Sequence, residues 1–168
     1  MSAAFAAARS LIYASGFFLL WGWLALGVRP LDQNFAVAMP TWFRSAGIIV
    51  MSVGFVLALG CVMVFVFRGR GTPAPFDPPR EFVAIGPYRY VRNPMYIGGL
   101  TMLLGFGLVH LSLAMLFFTV PAALVAHLFV VLVEERQLEQ RFGEPYREYK
   151  RSVNRWIPRW RDRTLRPG

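Results

Sequence analysis

The chain has 168 residues, 56% of them hydrophobic and only 16% charged, and a net charge of +9. Soluble domains carry roughly 25% charged residues, so this balance excludes an ordinary soluble domain. The length leaves no room for a separate catalytic domain, and the chain reads as one membrane domain over 1–168. A single cysteine, Cys61 inside an apolar block, excludes a disulfide framework and a cysteine metal centre; it reads as a small core residue.

The first apolar stretch covers 11–28 and follows Arg9. It continues through Trp21 and Trp23 with no small-residue cleavage site after it, so it reads as a retained helix, not a signal peptide. The second, 45–67, has 23 residues without a charge, and a bilayer core of roughly 30 Å needs about 20 helical residues. A loop over 68–95 follows, broken up by Gly69, Gly71, Pro73, Pro75, Pro78, Pro79, Gly86 and Pro87. It is expected to be irregular and held against the membrane face.

The next block, 96–133, has 38 residues and is too long for one span. His110 and Ser112 mark its turn, giving a hairpin of 96–109 and 112–133. At 1.5 Å per residue the third span is about 21 Å long. Either it starts a turn earlier, near Asn93, or it stops below the far surface. Pro121 predicts a kink in the fourth span. The tail, 134–168, continues the fourth helix with polar residues, is interrupted near Gly143 and Pro145, and ends in a basic stretch whose Trp156 and Trp160 suit an interface. The expected fold is an all-α membrane protein with about four transmembrane helices, the last two forming a hairpin, and a cytoplasmic helical tail.

With four crossings, sixteen Lys and Arg residues fall on the side shared by the amino terminus, central loop and tail, against two on the other. The positive-inside rule makes the crowded side cytoplasmic. The same distribution explains the basic charge without nucleic acid: a collar beside anionic lipid headgroups. Arginine outnumbers lysine 17 to 1 and alanine is abundant, which suggests a GC-rich bacterial genome and hence a bacterial inner membrane.

Two clusters and one histidine could carry chemistry. In the block 86–99, two arginines, three tyrosines and Asn93 gather where the loop enters the membrane, followed by Gly98 and Gly99. Pro94 restricts Asn93 to extended backbone, which suits a helix N-cap, and the paired glycines allow close approach of a ligand or helix. An interfacial anchor of arginine and tyrosine explains the same residues. Glu134 and Glu135 stand at the end of the fourth span, where carboxylates are costly unless solvated, paired or ligand-bound. Adjacent helical residues diverge by about 100°, so the two do not form a facing acid–base dyad. His127 lies two turns below Glu134; a hydrogen bond to a neighbouring helix is its simpler explanation. No metal set is expected, since His110, the other histidine, sits at the opposite turn.

Taken together, Phe76-Asp-Pro-Pro-Arg-Glu-Phe-Val-Ala-Ile-Gly-Pro-Tyr-Arg-Tyr-Val-Arg-Asn-Pro-Met-Tyr-Ile-Gly98 and Glu134-Glu-Arg-Gln-Leu-Glu-Gln-Arg-Phe-Gly-Glu-Pro-Tyr-Arg-Glu-Tyr149, closed by Trp156-Ile-Pro158, resemble the signature of isoprenylcysteine carboxyl methyltransferase-like membrane proteins, whose relatives include phospholipid methyltransferases. The resemblance covers about residues 76–158. It implies S-adenosylmethionine in a pocket roofed by the central loop and tail. By position it implies cofactor-binding roles for Tyr88, Arg92, Asn93, Pro94, Tyr96, Gly98, Glu134 and Glu135. The chemistry agrees, because a sulfonium suits carboxylates and tyrosine faces, while a ribose diol needs acceptors and a carboxylate needs donors such as Arg92.

In-line methyl transfer relies mainly on positioning, and His127 or Tyr90 is the expected base where one is needed. Asn93 stands where the prenylcysteine enzymes have histidine. The stretch Phe129-Val-Val-Leu-Val133 lacks the arginine those enzymes carry before their Glu-Glu pair. Both departures argue against a prenylcysteine carboxylate, so the expected acceptor is a small molecule, apolar or lipid-like, entering from the lipid bilayer. A nicotinamide-dependent reductase of the sterol-reductase type and a non-catalytic membrane subunit are the alternatives. The oligomeric state is not legible in the sequence.

Overall fold

The computed structural model describes residues 3–35, 37–69 and 82–158. Most of the breaker-rich loop, the 76–81 part of the motif, and Trp160 lie outside them. Among the described residues every regular element is helical and no strand occurs. Helix α1 spans Ala3–Val28 and passes into a 3-10 turn, Arg29–Asn34. Helix α2, Phe43–Val64, runs on through a π turn at Phe65–Gly69. Helix α3 is Pro94–Val109, and α4 is Leu113–Phe129. A second π turn, Val130–Glu134, joins α4 to α5, Glu135–Phe142, and α6 follows at Glu144–Ser152.

Local chemistry sets these limits. Proline at the first position of α3 lacks only an N–H the helix would leave unpaired, and its ring presets the helical φ. The third helix therefore starts at Pro94, not Tyr96, and its 16 residues reach about 24 Å. The hairpin turns at His110–Ser112, with Leu111 at φ 52°. Two acceptors then start α4. Ser112 Oγ accepts from Met115 N–H at 3.1 Å, and Asp32 Oδ1 accepts from Ala114 N–H at 2.9 Å. Pro121 sits inside α4 without ending it. At Gly143 a φ of 60° stops α5 and turns the chain into α6.

Among the described residues, two helical segments are long and apolar enough to cross a membrane: Phe43–Phe67, with mean hydropathy 2.8, and Leu113–Phe142, with 2.5. Only 17% and 11% of their apolar windows are buried within the protein. The apolar side chains thus face outward, as a bilayer requires and water does not allow. The chain is a membrane protein.

Helices α2 and α3 make the closest contact in the fold. Gly54 faces Gly98 and Gly47 faces Gly105. A Cβ on Gly105 would lie 2.6 Å from Met51 N and 2.7 Å from Gly47 O; one on Gly98 would lie 2.9 Å from Gly54 O. Small residues recur on α2 at positions 47, 54 and 61, a seven-residue repeat that keeps one seam against its partner helix. Helices α1 and α4 pack on the other side of α3 through Ala25, Leu103, Met115 and Ala122.

Candidate functional site

Where α3 begins and α4 ends, the chain on both sides is polar, and the tail folds back over the gap. Backbone and side-chain bonds fasten it. Arg92 N–H donates to Asn154 O at 2.9 Å. Asn93 Nδ2 donates to Arg155 O at 3.2 Å, and Tyr149 Oη to Tyr88 O at 2.6 Å. Phe82 packs edge-on against Tyr146 and Tyr149. Asn93 occupies the N-cap position of α3, but its side chain does not cap the helix. It holds the tail instead, and its ψ of 52° falls short of the extended backbone expected before proline.

The result is a cavity of about 430 Å³, within the range of small-ligand sites. Tyr88, Arg92, Asn93, Tyr96, Glu134 and Glu135 all line it. Glu134 and Glu135 diverge as neighbouring helical residues must. Glu134 Oε2 accepts from Tyr96 Oη at 2.7 Å. Glu135 turns to the tail, where Arg155 Nε and Nη2 reach its two oxygens at 2.7 and 3.1 Å. Arg92 Nη1 lies 2.9 Å from Glu135 Oε1, and Lys150 Nζ is 4.0 Å from Oε2. The Arg92 and Glu135 side chains are 11% and 9% exposed. Even so, Arg92 Nε and Nη1 are buried without a geometrically sound hydrogen bond among the described residues. A buried guanidinium with donors to spare is poised for an anionic or polar ligand.

The electrostatics of the roof follow from burial. Burial, then the negative charge of Glu135, pushes the Tyr146 phenol up to about 12. Burial also holds Tyr149 and Tyr88 well above the ordinary tyrosine range. These rings meet the cavity as neutral hydrogen-bonding faces at any physiological pH.

Four expected site residues lie elsewhere. Gly98 is spent on the α2–α3 contact, where backbone from Gly54 and Ala58 fills the space beside it. Pro94 is buried in the first turn of α3, where it shapes the helix start and does not face the cavity. Tyr90 is 59% exposed, with Arg89 beside its ring at 6.0 Å. His127 is engaged by the tail: Trp156 Nε1 donates to its Nδ1 at 3.0 Å. An indole N–H only donates, so Nδ1 serves as acceptor and is not free to take a substrate proton. The motif and charge pattern did not single out Arg155, Tyr146 or Tyr149. The signals were present: Arg155 immediately precedes Trp156, and both tyrosines stand in the Glu144–Tyr149 segment of the motif.

Comparison with known proteins bears on this arrangement. The model of a family described as phospholipid methyltransferase matches residues 42–145, the stretch from α2 into the start of α6. Methanethiol S-methyltransferase 1 of Bradyrhizobium diazoefficiens is 28% identical over 161 residues, an alignment covering 85% of this chain and 50% of that protein. The chain thus spans about half the length of the curated relative it matches.

Proposed function

Because the chain belongs to the phospholipid methyltransferase family, we propose that it transfers a methyl group from S-adenosylmethionine to a small apolar or lipid-like acceptor at the cytoplasmic face of a bacterial inner membrane. The observation that carries the cofactor assignment is the buried Arg92 beside Glu135, its Nε without a partner among the described residues, in a cavity that also offers tyrosine faces and a second carboxylate. The donor set fits the cofactor: an α-carboxylate finds the Arg92 guanidinium, a ribose diol finds carboxylate acceptors, and a sulfonium finds neutral aromatic rings. When bound, the cofactor supplies an electrophilic methyl group.

The chain's own contribution is placement. The Tyr149–Tyr88 and Asn93–Arg155 bonds hold the roof down on α3. Arg155 neutralises Glu135, so the carboxylate can stay charged in a half-dry site. Removing water and fixing approach along one line provide most of the rate in a displacement at carbon. The name of the curated relative carries a small thiol acceptor, which supports an acceptor of small size and low polarity.

Four crossings put α1–α4 in the bilayer and the cavity on the side that carries sixteen of eighteen basic charges. Under this topology α3 is the short span, and its polar start lies at the headgroup level.

Calorimetry with S-adenosylhomocysteine on the detergent-purified chain tests the assignment. Saturable binding is expected, and ligand at 100 times its dissociation constant should stabilise the fold by about 2.7 kcal/mol. Glu135→Gln, which keeps the shape but removes the charge, should weaken binding at least about tenfold, or about 1.4 kcal/mol. A folded protein that ignores the ligand would refute the methyltransferase reading.

A further inference from the structure

A second cavity, of about 420 Å³, lies deeper, between α1, α3 and α4, with Met51 of α2 on its wall. Its lining includes Phe17, Trp21, Gly99, Leu103 and Ala126 and, among the described residues, has no Asp, Glu, Lys, Arg or His. Tyr96 is the one described residue that lines both this cavity and the polar one. Its hydroxyl donates to Glu134 Oε2 at 2.7 Å. A hydroxyl that donates one hydrogen bond still has lone pairs to accept another.

We propose that the apolar cavity binds the methyl acceptor, that the acceptor is a neutral thiol, and that its proton leaves through Tyr96 to Glu134. This rests on the methyltransferase reading above. Lining chemistry selects the class. Alkylamines and carboxylic acids are charged at pH 7, and a charge here would have no counterion. A zwitterionic lipid headgroup is excluded on the same ground. A thiol remains neutral at pH 7 and enters an apolar cavity at little cost. Yet the thiolate is the nucleophile, so the proton must go somewhere as the bond forms, and among the described lining residues Tyr96 offers the one hydroxyl.

The step balances. As the sulfur lone pair forms the new S–CH3 bond, the sulfonium carbon–sulfur bond breaks and its pair returns to the cofactor sulfur. The S–H proton passes to Tyr96 Oη, and the Tyr96 proton passes to Glu134 Oε2. Glu134 then releases it to water on the polar side. The products are a methyl thioether, the neutral cofactor thioether and one proton.

The test uses the full chain in detergent with 1-butanethiol as acceptor, butyl methyl sulfide as product probe and S-adenosylhomocysteine as cofactor probe. A Cβ on Gly99 would rest 3.8 and 3.9 Å from Phe17 and Phe18, an ordinary contact, so Gly99→Leu fills the cavity from α3. Ala126→Val narrows it from α4 should the first variant fold poorly.

Either variant should abolish butyl methyl sulfide binding by calorimetry and raise the KM for 1-butanethiol at least about tenfold, the scale of a blocked methylene or two. S-Adenosylhomocysteine affinity should stay unchanged. Tyr96→Phe should lower kcat for 1-butanethiol about 100-fold, the usual share of a proton-transfer group. The more acidic 2,2,2-trifluoroethanethiol, still largely neutral at pH 7, should be affected far less, because it needs less help to ionise.

Butyl methyl sulfide binding that survives both filling variants would overturn the site. Equal losses on the two thiols would overturn the relay, and methylation of butylamine at a comparable rate would overturn the acceptor class. Wild-type protein that fails to bind S-adenosylhomocysteine would instead overturn the parent reading, and this inference with it.

Discussion

Glu134 and Glu135 show how much a single residue step decides. One helical position separates them, yet Glu134 meets a tyrosine of α3 and Glu135 meets three cations from the loop and tail. The divergence follows from helical geometry and was legible in the sequence; the partners were not, because Arg155 comes within reach only when the tail folds back. Gly143 adopts φ 60° and ψ −130°, and a Cβ added to it would meet nothing within 4 Å. Gly143→Ala should therefore cost about 1–3 kcal/mol from backbone strain alone, measurable by thermal unfolding, and Gly143→Asn should cost less than a β-branched substitution there.

Tyr146 gives a pH prediction. Its phenol is raised from 10 to about 12, so the folded state favours the protonated ring. That contribution is complete below pH 10 and is lost as pH climbs through about 12. Alkaline titration followed by tyrosinate absorbance should show roof tyrosines ionising later than an exposed one. Simultaneous ionisation of all tyrosines near pH 10, the unperturbed value, would contradict the buried roof.

At the scale of elements, the hairpin was readable: its helices end at Val109 and start at Leu113, at the polar pair that interrupts the apolar block. The start of α3 was readable in one of two ways: the apolar count begins at Tyr96, whereas Asn93 before Pro94 marks the N-cap position the helix adopts. The glycine seam between α2 and α3 also went unread, although the repeat at 47, 54 and 61 is visible in the sequence. That Gly98 admits a neighbouring helix was legible; that Gly54 of α2 is its partner was not.

Gly105→Ala should destabilise the fold by about 1–3 kcal/mol through overpacking against Met51 and Gly47. Gly99→Ala, whose added Cβ meets only ordinary contacts, should be nearly neutral. Thermal unfolding in the same detergent compares the two directly. At the other end of α3, Asp32→Ala removes one of the two acceptors that start α4 and should cost about 1 kcal/mol.

Across the whole molecule, the proposed topology puts Gln33 and Glu148 on opposite sides of the membrane. In a Cys61→Ala background, Gln33→Cys should react with an impermeant maleimide on intact cells. Glu148→Cys should react only after the membrane is opened. The reverse pattern would invert the topology. The cavity itself was half legible: motif and charge located Arg92, Asn93, Tyr96 and the two carboxylates. The tail's contribution was hidden, because bonds such as Tyr149 to Tyr88 and Asn93 to Arg155 join residues 61 and 62 positions apart.

Those long-range bonds also order events during biosynthesis. Ribosomes deliver the chain from its amino end, so α1 to α4 are made before Arg155 and Trp156 exist. A nascent chain halted before Asn154 has its long helices but lacks Asn154, Arg155 and Trp156, which bond Arg92, Asn93, Glu135 and His127. The cavity is thus closed by residues made after the helices that floor it, and a chain halted before Asn154 should fail to bind S-adenosylhomocysteine.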